Sequence, residues 1–292
     1  LNRYDKFNNS FYSKVQKGFL KLAKKLKIDG IVAYGSDPAA PTAAFVAERM
    51  GLPGNPYQAV LTLARKDLFR EFLKKNGFNV PNSRSFKRFD EARSWIEDLE
   101  GPLFVKPIDS SGSKGVSRLL DKKKAQRAFA HALSYSREKM VVIEEEITRS
   151  SYQMAGDGFL KEGNLVFRCW ADEHFDPLCN GLVPIGQTFP TSQPEPLLSL
   201  AHAETQRLVS LLKMRNGALN FDVIFDESGE LYFLELGPRN GGCLIPEVIR
   251  YATGIDLVKF TVDSALGLPC HSLDMQPTLG FWASYMIHST KS

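Results

Sequence analysis

Apolar residues recur at helical spacing at Phe11, Val15, Phe19, Leu22 and Leu26, which predicts a helix over residues 11–27. Residues 30–34 read as a short strand. The alanine-rich stretch after Pro41 reads as a helix running to Met50 and stopped by Gly51. This alternation suggests part of an open parallel α/β sheet. A helix over 67–75 ends at Asn76-Gly77. From Pro81 to Ile143 the order is strand, helix, strand, strand, helix, strand. The helices are 91–99 (Ala92, Trp95, Ile96 and Leu99 inward) and 122–135 (Ala125, Phe129, Ala132 and Leu133 inward), and the middle strands are 103–106 and 115–120. Beyond Glu144 come longer strands, a helix near 199–213, a hairpin over 218–236, two helices between residues 245 and 266, and a strand-like run at 281–287. No internal repeat or low-complexity tract interrupts this pattern.

Composition changes the picture little. With 43% hydrophobic and 24% charged residues among 292, the chain is an ordinary soluble globular type. The net charge of +4 is weak, and the lysines between Lys14 and Lys27 read as a solvated helix face rather than a nucleic-acid stripe. No apolar run approaches the ~18 residues of a membrane span. Cys169, Cys179, Cys243 and Cys270 show no CxxC spacing, which argues against a metal cage or disulfide framework and fits a reducing cytoplasm. Leu1 is not a methionine and nothing after it resembles a signal peptide, so the chain reads as part of a longer protein.

The hairpin carries the most chemistry. A two-residue turn at Ser228-Gly229 would set Asp222 opposite Glu235 and Asn220 opposite Gly237, with Ile224 and Phe233 as apolar neighbours on the carboxylate face. Opposed carboxylates repel each other. A divalent cation resolves the conflict, since Mg²⁺ takes one or two carboxylates and completes its shell with phosphate and water. The alternative is a hairpin edge whose acids splay into solvent. A strand ending in Lys106 then runs into Ser111-Gly112-Ser113-Lys114-Gly115, small residues that let backbone N–H groups approach phosphate. This is neither a Walker loop nor a GxGxxG, and an ordinary turn is the competing reading. Val141 to Ile147 is a buried-type strand running into Glu144, Glu145 and Glu146. Arg239, in Pro238-Arg-Asn-Gly-Gly242, could grip a phosphate or carboxylate with two parallel bonds, or simply sit on a surface loop.

Taken in order, Lys66-Asp67, Val105-Lys106-Pro107, Ile143-Glu-Glu-Glu-Ile147, Asn220-Phe-Asp222 and Leu234-Glu-Leu-Gly-Pro-Arg239 resemble the ATP-grasp superfamily over about residues 28–267. The nearest patterns are the large-subunit domains of carbamoyl-phosphate synthetase, phosphoribosylglycinamide synthetase and related carboxylate–amine ligases. The resemblance implies the remainder of a pre-ATP-grasp α/β domain at 1–62 and an ATP-grasp domain at 63–292. Within the latter, 81–143 would form a lid and 144–292 the metal- and substrate-binding lobe. It implies that Lys66 and Lys106 contact ATP phosphates and that Ser111 to Gly115 closes over them. It further implies that the backbone of Glu144, Glu145, Glu146 and Ile147 reads adenine. Asp222 and Glu235 would hold Mg²⁺ or Mn²⁺, and Arg239 would lie near the transferred phosphoryl group. Two departures stand out. Ser151 and Tyr152 occupy the window of a ribose-binding glutamate, so the amide of Gln153, next in the chain, would replace that carboxylate, and Gly237 replaces a metal-binding asparagine, for which Asn220 would compensate. The implied activity is activation of a small-molecule carboxylate as an acyl phosphate for attack by an amine, or less often a thiol. A kinase, a biotin-dependent carboxylase and a non-catalytic nucleotide-binding module are the alternatives. Arg168, His174 and Asn240 are candidate substrate contacts. The expected partners are small molecules and a second copy of the chain, with no nucleic acid and no membrane.

Overall fold

The computed structural model describes residues 11–178 and 180–287; the side chains of Phe11 and Tyr12, and Cys179, lie outside the described residues. Four helices come first: α1 (Phe11–Leu26), α2 (Ala40–Met50), α3 (Tyr57–Ala64) and α4 (Lys66–Lys75). Gly51 ends α2 in the left-handed conformation, where the missing Cβ removes the steric cost. The apolar stripe of α1 is largely exposed: Phe19, Leu22 and Leu26 are 51%, 50% and 62% accessible, while Gln16 and Ala23 are buried. The helix packs mainly on α2, and Gln16 bonds the Tyr57 hydroxyl at the start of α3. The lysines of α1 are solvated, as expected. The expected strand at 30–34 reduces to one parallel bridge between Tyr34 and Asn240. No strand runs beside residues 30–33 among the described residues, and without a hydrogen-bonded neighbour an extended segment is not a strand.

A four-stranded antiparallel sheet follows, in the order β1 (Ser83–Phe86), β4 (Val141–Glu145), β2 (Leu103–Pro107), β3 (Ser117–Leu119). Helices α5 (Phe89–Asp98) and α6 (Ala125–Tyr135) cover one face, burying Ala92, Ile96, Phe129 and Ala132 against Leu103, Val105, Val141 and Ile143. Strand alternation therefore turns Lys106, Val142 and Glu144 to the other face.

A six-stranded antiparallel sheet makes the larger lobe. Its order is β10 (Trp282–Tyr285), β7 (Pro184–Phe189), β6 (Asn164–Phe175), β5 (Gln153–Lys161), β8 (Gly217–Phe225), β9 (Leu231–Gly237). Helix α7 (Glu195–Leu211) starts earlier than the pattern suggested, because the Pro-Glu-Pro start suits a helical first turn. It packs on one face with α4, over Met154, Trp170, Leu219, Phe221 and Val223. Helices α8 (Ile245–Thr253) and α9 (Leu257–Ala265) cover the other, over Phe159, Phe167, Cys169 and Ala218.

The β8–β9 hairpin differs from expectation in two ways that cancel. Its loop spans Glu227-Ser228-Gly229, closed by Asp226 N to Glu230 O at 3.1 Å, one residue more than the two-residue turn. A β-bulge at Leu234 then absorbs the extra residue, so Asp222 still faces Glu235 and Asn220 faces Gly237. Beyond the bulge Phe233 pairs with Val223 and packs into the α4–α7 core, rather than lying beside the acids.

Candidate active site at the junction of the two sheets

Alternation puts Gln153, Asp157, Glu173, Asn220 and Asp222 on one face of the larger sheet, at the end not covered by the apolar part of α8 and α9. Gln153 Nε2 donates to Glu173 Oε2 at 2.6 Å and to Asp222 Oδ1 at 3.0 Å, and Gln187 Nε2 donates to Glu173 Oε1 at 3.2 Å. Burial pushes the Glu173 carboxyl up to about 7, against the help of the Gln187 amide. Burial, then the charges of Glu173 and Glu235, hold Asp222 well above the usual carboxylate range. Gln153, expected at a ribose, is thus tied up between two acids.

Cations approach this acidic end from α4 and the smaller sheet. Lys66 Nζ donates to Ser110 O at 3.0 Å and lies 3.5 Å from Glu235 Oε2. Lys106 forms an ion pair with Glu144, and Arg70 joins the same carboxylate at 3.0 Å. Burial alone would raise the Glu144 carboxyl, but Arg70 and then Lys106 pull it down to about 2. Burial lowers the Lys106 ammonium, with Glu144 opposing. Glu144 is therefore an internal counter-ion, not only a backbone contact. The N–H groups of Glu145 and Glu146 donate to Asn82 O and Pro102 O, each at 3.0 Å, and Glu146 also accepts from Arg118 at 2.7 Å. Ile147 follows, half-buried. In the β2–β3 connection Gly112, Ser113 and Gly115 all have positive φ, Ser111 O accepts from Lys114 N, and the Lys114 side chain is exposed. The Ser113 hydroxyl donates to Leu182 O of the larger lobe at 2.6 Å.

Arg239 lies one turn past β9 with its guanidinium bonded to Asp37. Asn220 donates its amide to Gly156 O at 3.0 Å and Asp157 Oδ1 at 2.9 Å. It anchors Asp157 rather than standing free beside Gly237. Burial raises Asp157 to about 7, opposed by the bonds from Gly241 N and Asn220. Two expected substrate contacts are not brought here. Alternation puts Arg168 and His174 on the opposite face, where Arg168 bonds His202 at 3.2 Å and His174 bonds Thr188 at 2.9 Å. Asn240 is fully buried and accepts from the Thr261 hydroxyl at 2.9 Å.

Asp37, Arg70, Asp157 and Glu173 were absent from the candidate set read from the sequence. Arg70 alone left a signal, a cation within the apolar stripe Phe69–Leu73 and one turn from Lys66. Among the described residues no three acids, histidines or cysteines form a ready-made metal cluster. The crowded pair of Asp222 and Glu235 nevertheless fits Mg²⁺, which needs few protein oxygens and would relieve the repulsion that burial intensifies.

A four-stranded lobe with a cationic face, set against a six-stranded sheet bearing opposed carboxylates, defines an ATP-grasp fold. Residues 65–273 match the family model described as "Carbamoyl-phosphate synthase L chain, ATP binding domain", and the chain belongs to that family. It is 24% identical over 239 residues to the N-terminal section of the carbamoyl phosphate synthase large chain of Methanopyrus kandleri, covering 80% of this chain and 41% of the relative. Against the Methanosarcina acetivorans large chain it is 25% identical, covering 85% of this chain and 24% of that one. The chain thus spans well under half the length of these relatives. Among solved structures it is similar to the L-amino acid ligase of Bacillus licheniformis, with TM-score 0.72, 23% identity, and 86% and 59% of the two chains covered. It is also similar to the biotin carboxylase domain of Hydrogenobacter thermophilus 2-oxoglutarate carboxylase, solved with MgADP and bicarbonate, with TM-score 0.75, 17% identity, and 92% and 60% covered. No helix among the described residues is long and apolar enough to cross a membrane.

Proposed function

We propose that the chain binds ATP with Mg²⁺ and activates a carboxylate as an acyl phosphate for attack by an amine or similar nucleophile. The observation that carries this reading is the meeting of Lys66 and Glu235 at 3.5 Å, with the opposed Asp222 on the next strand and Lys106 on the facing sheet. Cations and paired acids at one junction suit a polyphosphate held with a metal. Asp222 and Glu235 would hold Mg²⁺, which supplies charge neutralisation on the phosphate oxygens. Lys66, beside Glu235, and Lys106, which shares Glu144 with Arg70, would supply point charges to phosphate. The lobe over residues 81–143 acts as a lid, the Ser111–Gly115 loop closing from it, and excludes water from an easily hydrolysed intermediate. The stretch from Glu144 to Ile147 borders adenine, chiefly through carbonyls, because two of its N–H groups are committed. The pre-ATP-grasp remainder expected over residues 1–62 would reach this site through Asp37, which bonds Arg239.

The test is ADP release in a matrix of carboxylates and amines with ATP and Mg²⁺. Release that requires both an acid and an amine supports the ligase reading. Release with a hydroxyl compound alone points to a kinase, and nucleotide binding without release in any combination points to a non-catalytic module.

A further inference from the structure

The family match begins at residue 65, yet the most fully engaged contact of Arg239 comes from outside it. Arg239 Nε donates to Asp37 Oδ1 at 2.7 Å, Nη2 donates to Asp37 Oδ2 at 2.7 Å, and Nη1 donates to Asn240 O at 3.0 Å. Both side chains are nearly buried, at 10% and 12% accessible. A guanidinium carries five N–H donors in a rigid plane. These bonds commit three and leave one on each terminal nitrogen, directed away from Asp37. Because two parallel bonds pin one edge of the plane, the remaining donors cannot swing. Nor can Arg239 leave its partner cheaply, since that would strand a buried carboxylate.

Gly237 is part of the same arrangement. A Cβ there would come 2.9 Å from Asp37 Oδ1 and 3.0 Å from Arg239 Cζ, so the ion pair fills the space of a side chain at this position. The segment that carries Asp37 is itself strapped to the loop after β9. Tyr34 pairs with Asn240 in a parallel bridge, and its hydroxyl donates to Glu247 Oε1 at 3.4 Å.

We propose that Asp37 is a positioning residue that fixes the Arg239 guanidinium so that its two remaining N–H groups address the transferred phosphoryl group, and that Gly237 is the space this requires. The N-terminal segment is then a working part of the site. This rests on the nucleotide reading above.

The test is calorimetric titration with MgADP alone and with MgADP plus aluminium fluoride, a mimic of a phosphoryl group in transfer, with melting temperatures measured alongside. Asp37→Ala and the isosteric Asp37→Asn should bind MgADP within about twofold of the unaltered protein and lose about tenfold on the fluoride complex. In an Arg239→Ala background, Asp37→Ala should change nothing further, because it acts through that arginine. The proposal is overturned by an unchanged fluoride complex in the well-folded Asn variant, by an equal loss on MgADP alone, or by a full further loss in the Arg239→Ala background. An unaltered protein that does not bind MgADP contradicts the nucleotide reading itself and takes the proposal with it.

Discussion

Arg70 and Glu144 fasten the two sheets to each other. The arginine donates from Nε to the carboxylate at 3.0 Å, while Nη1 and Nη2 take the carbonyls of Phe233 and Leu234 at 3.0 and 3.1 Å. Those carbonyls belong to the β9 bulge, which holds Glu235 opposite Asp222. One side chain from α4 thus connects β4 to the irregularity that sets Asp222 opposite Glu235.

Glu144→Gln should therefore be costly, leaving Arg70 and Lys106 buried with less counter-charge, by about 3–5 kcal/mol. A carboxyl held down at about 2 contributes stability above its unfolded value and loses it as pH falls from the ordinary carboxylate range toward 2. Denaturant melts between pH 2 and 7 should show this acid-side slope in the unaltered protein and a flatter profile in the variant.

Asp157 has the opposite sign. Its carboxyl is raised to about 7 mainly by burial, so the native state keeps a proton that the unfolded chain has lost. Its contribution falls as pH rises from the ordinary aspartate range to about 7. Asp157→Asn should remove that part of the slope and melt higher than the unaltered protein at pH 8. A lower melting temperature there would mean that the ionised form is needed by Gly241 and Asn220.

How much of this was legible follows from the reach of each interaction. The helices and strands of the lid lobe follow from local periodicity, and the opposed acids follow from hairpin pairing. That pairing came out right only because the bulge at Leu234 offsets the longer loop, and the misplacing of Phe233 records it. The helix α1 follows from its apolar spacing, but periodicity does not say whether anything covers the stripe, and Phe19, Leu22 and Leu26 are exposed. Arg168 and His174 were misjudged for want of a fixed face, although they sit one residue from Cys169 and Glu173 on β6. Asp37 was invisible, since its partner lies 202 residues away.

Close packing around Asp157 gives a sharper stability test. A Cβ on Gly241 would meet Asp157 Oδ1 at 2.7 Å, Ile245 Cδ1 at 2.8 Å and Asn220 Nδ2 at 2.9 Å. Gly241→Ala should cost about 1–3 kcal/mol, as overpacking does. The neighbouring Gly242→Ala, with nothing within 4 Å, should stay within about 0.5 kcal/mol. Equal melting of the two variants would contradict the described packing of this loop.

The loop over residues 109–115 should exchange amide hydrogens more slowly when MgADP is bound. Ser113→Ala, which removes the bond to Leu182 O, should speed exchange in the free protein. Mass-spectrometric exchange checks both, and indifference to nucleotide would count against a closing lid.

Whether Asp222 and Glu235 bind nucleotide through Mg²⁺ is decided by calorimetric titration of ADP over a series of Mg²⁺ concentrations. The unaltered protein should bind ADP more tightly as Mg²⁺ rises. Asp222→Asn and Glu235→Gln should lose about tenfold or more in that Mg²⁺-dependent affinity and melt no lower than the unaltered protein, since each removes a repulsive charge. Binding that ignores Mg²⁺, or variants that keep its full effect, would contradict the assignment.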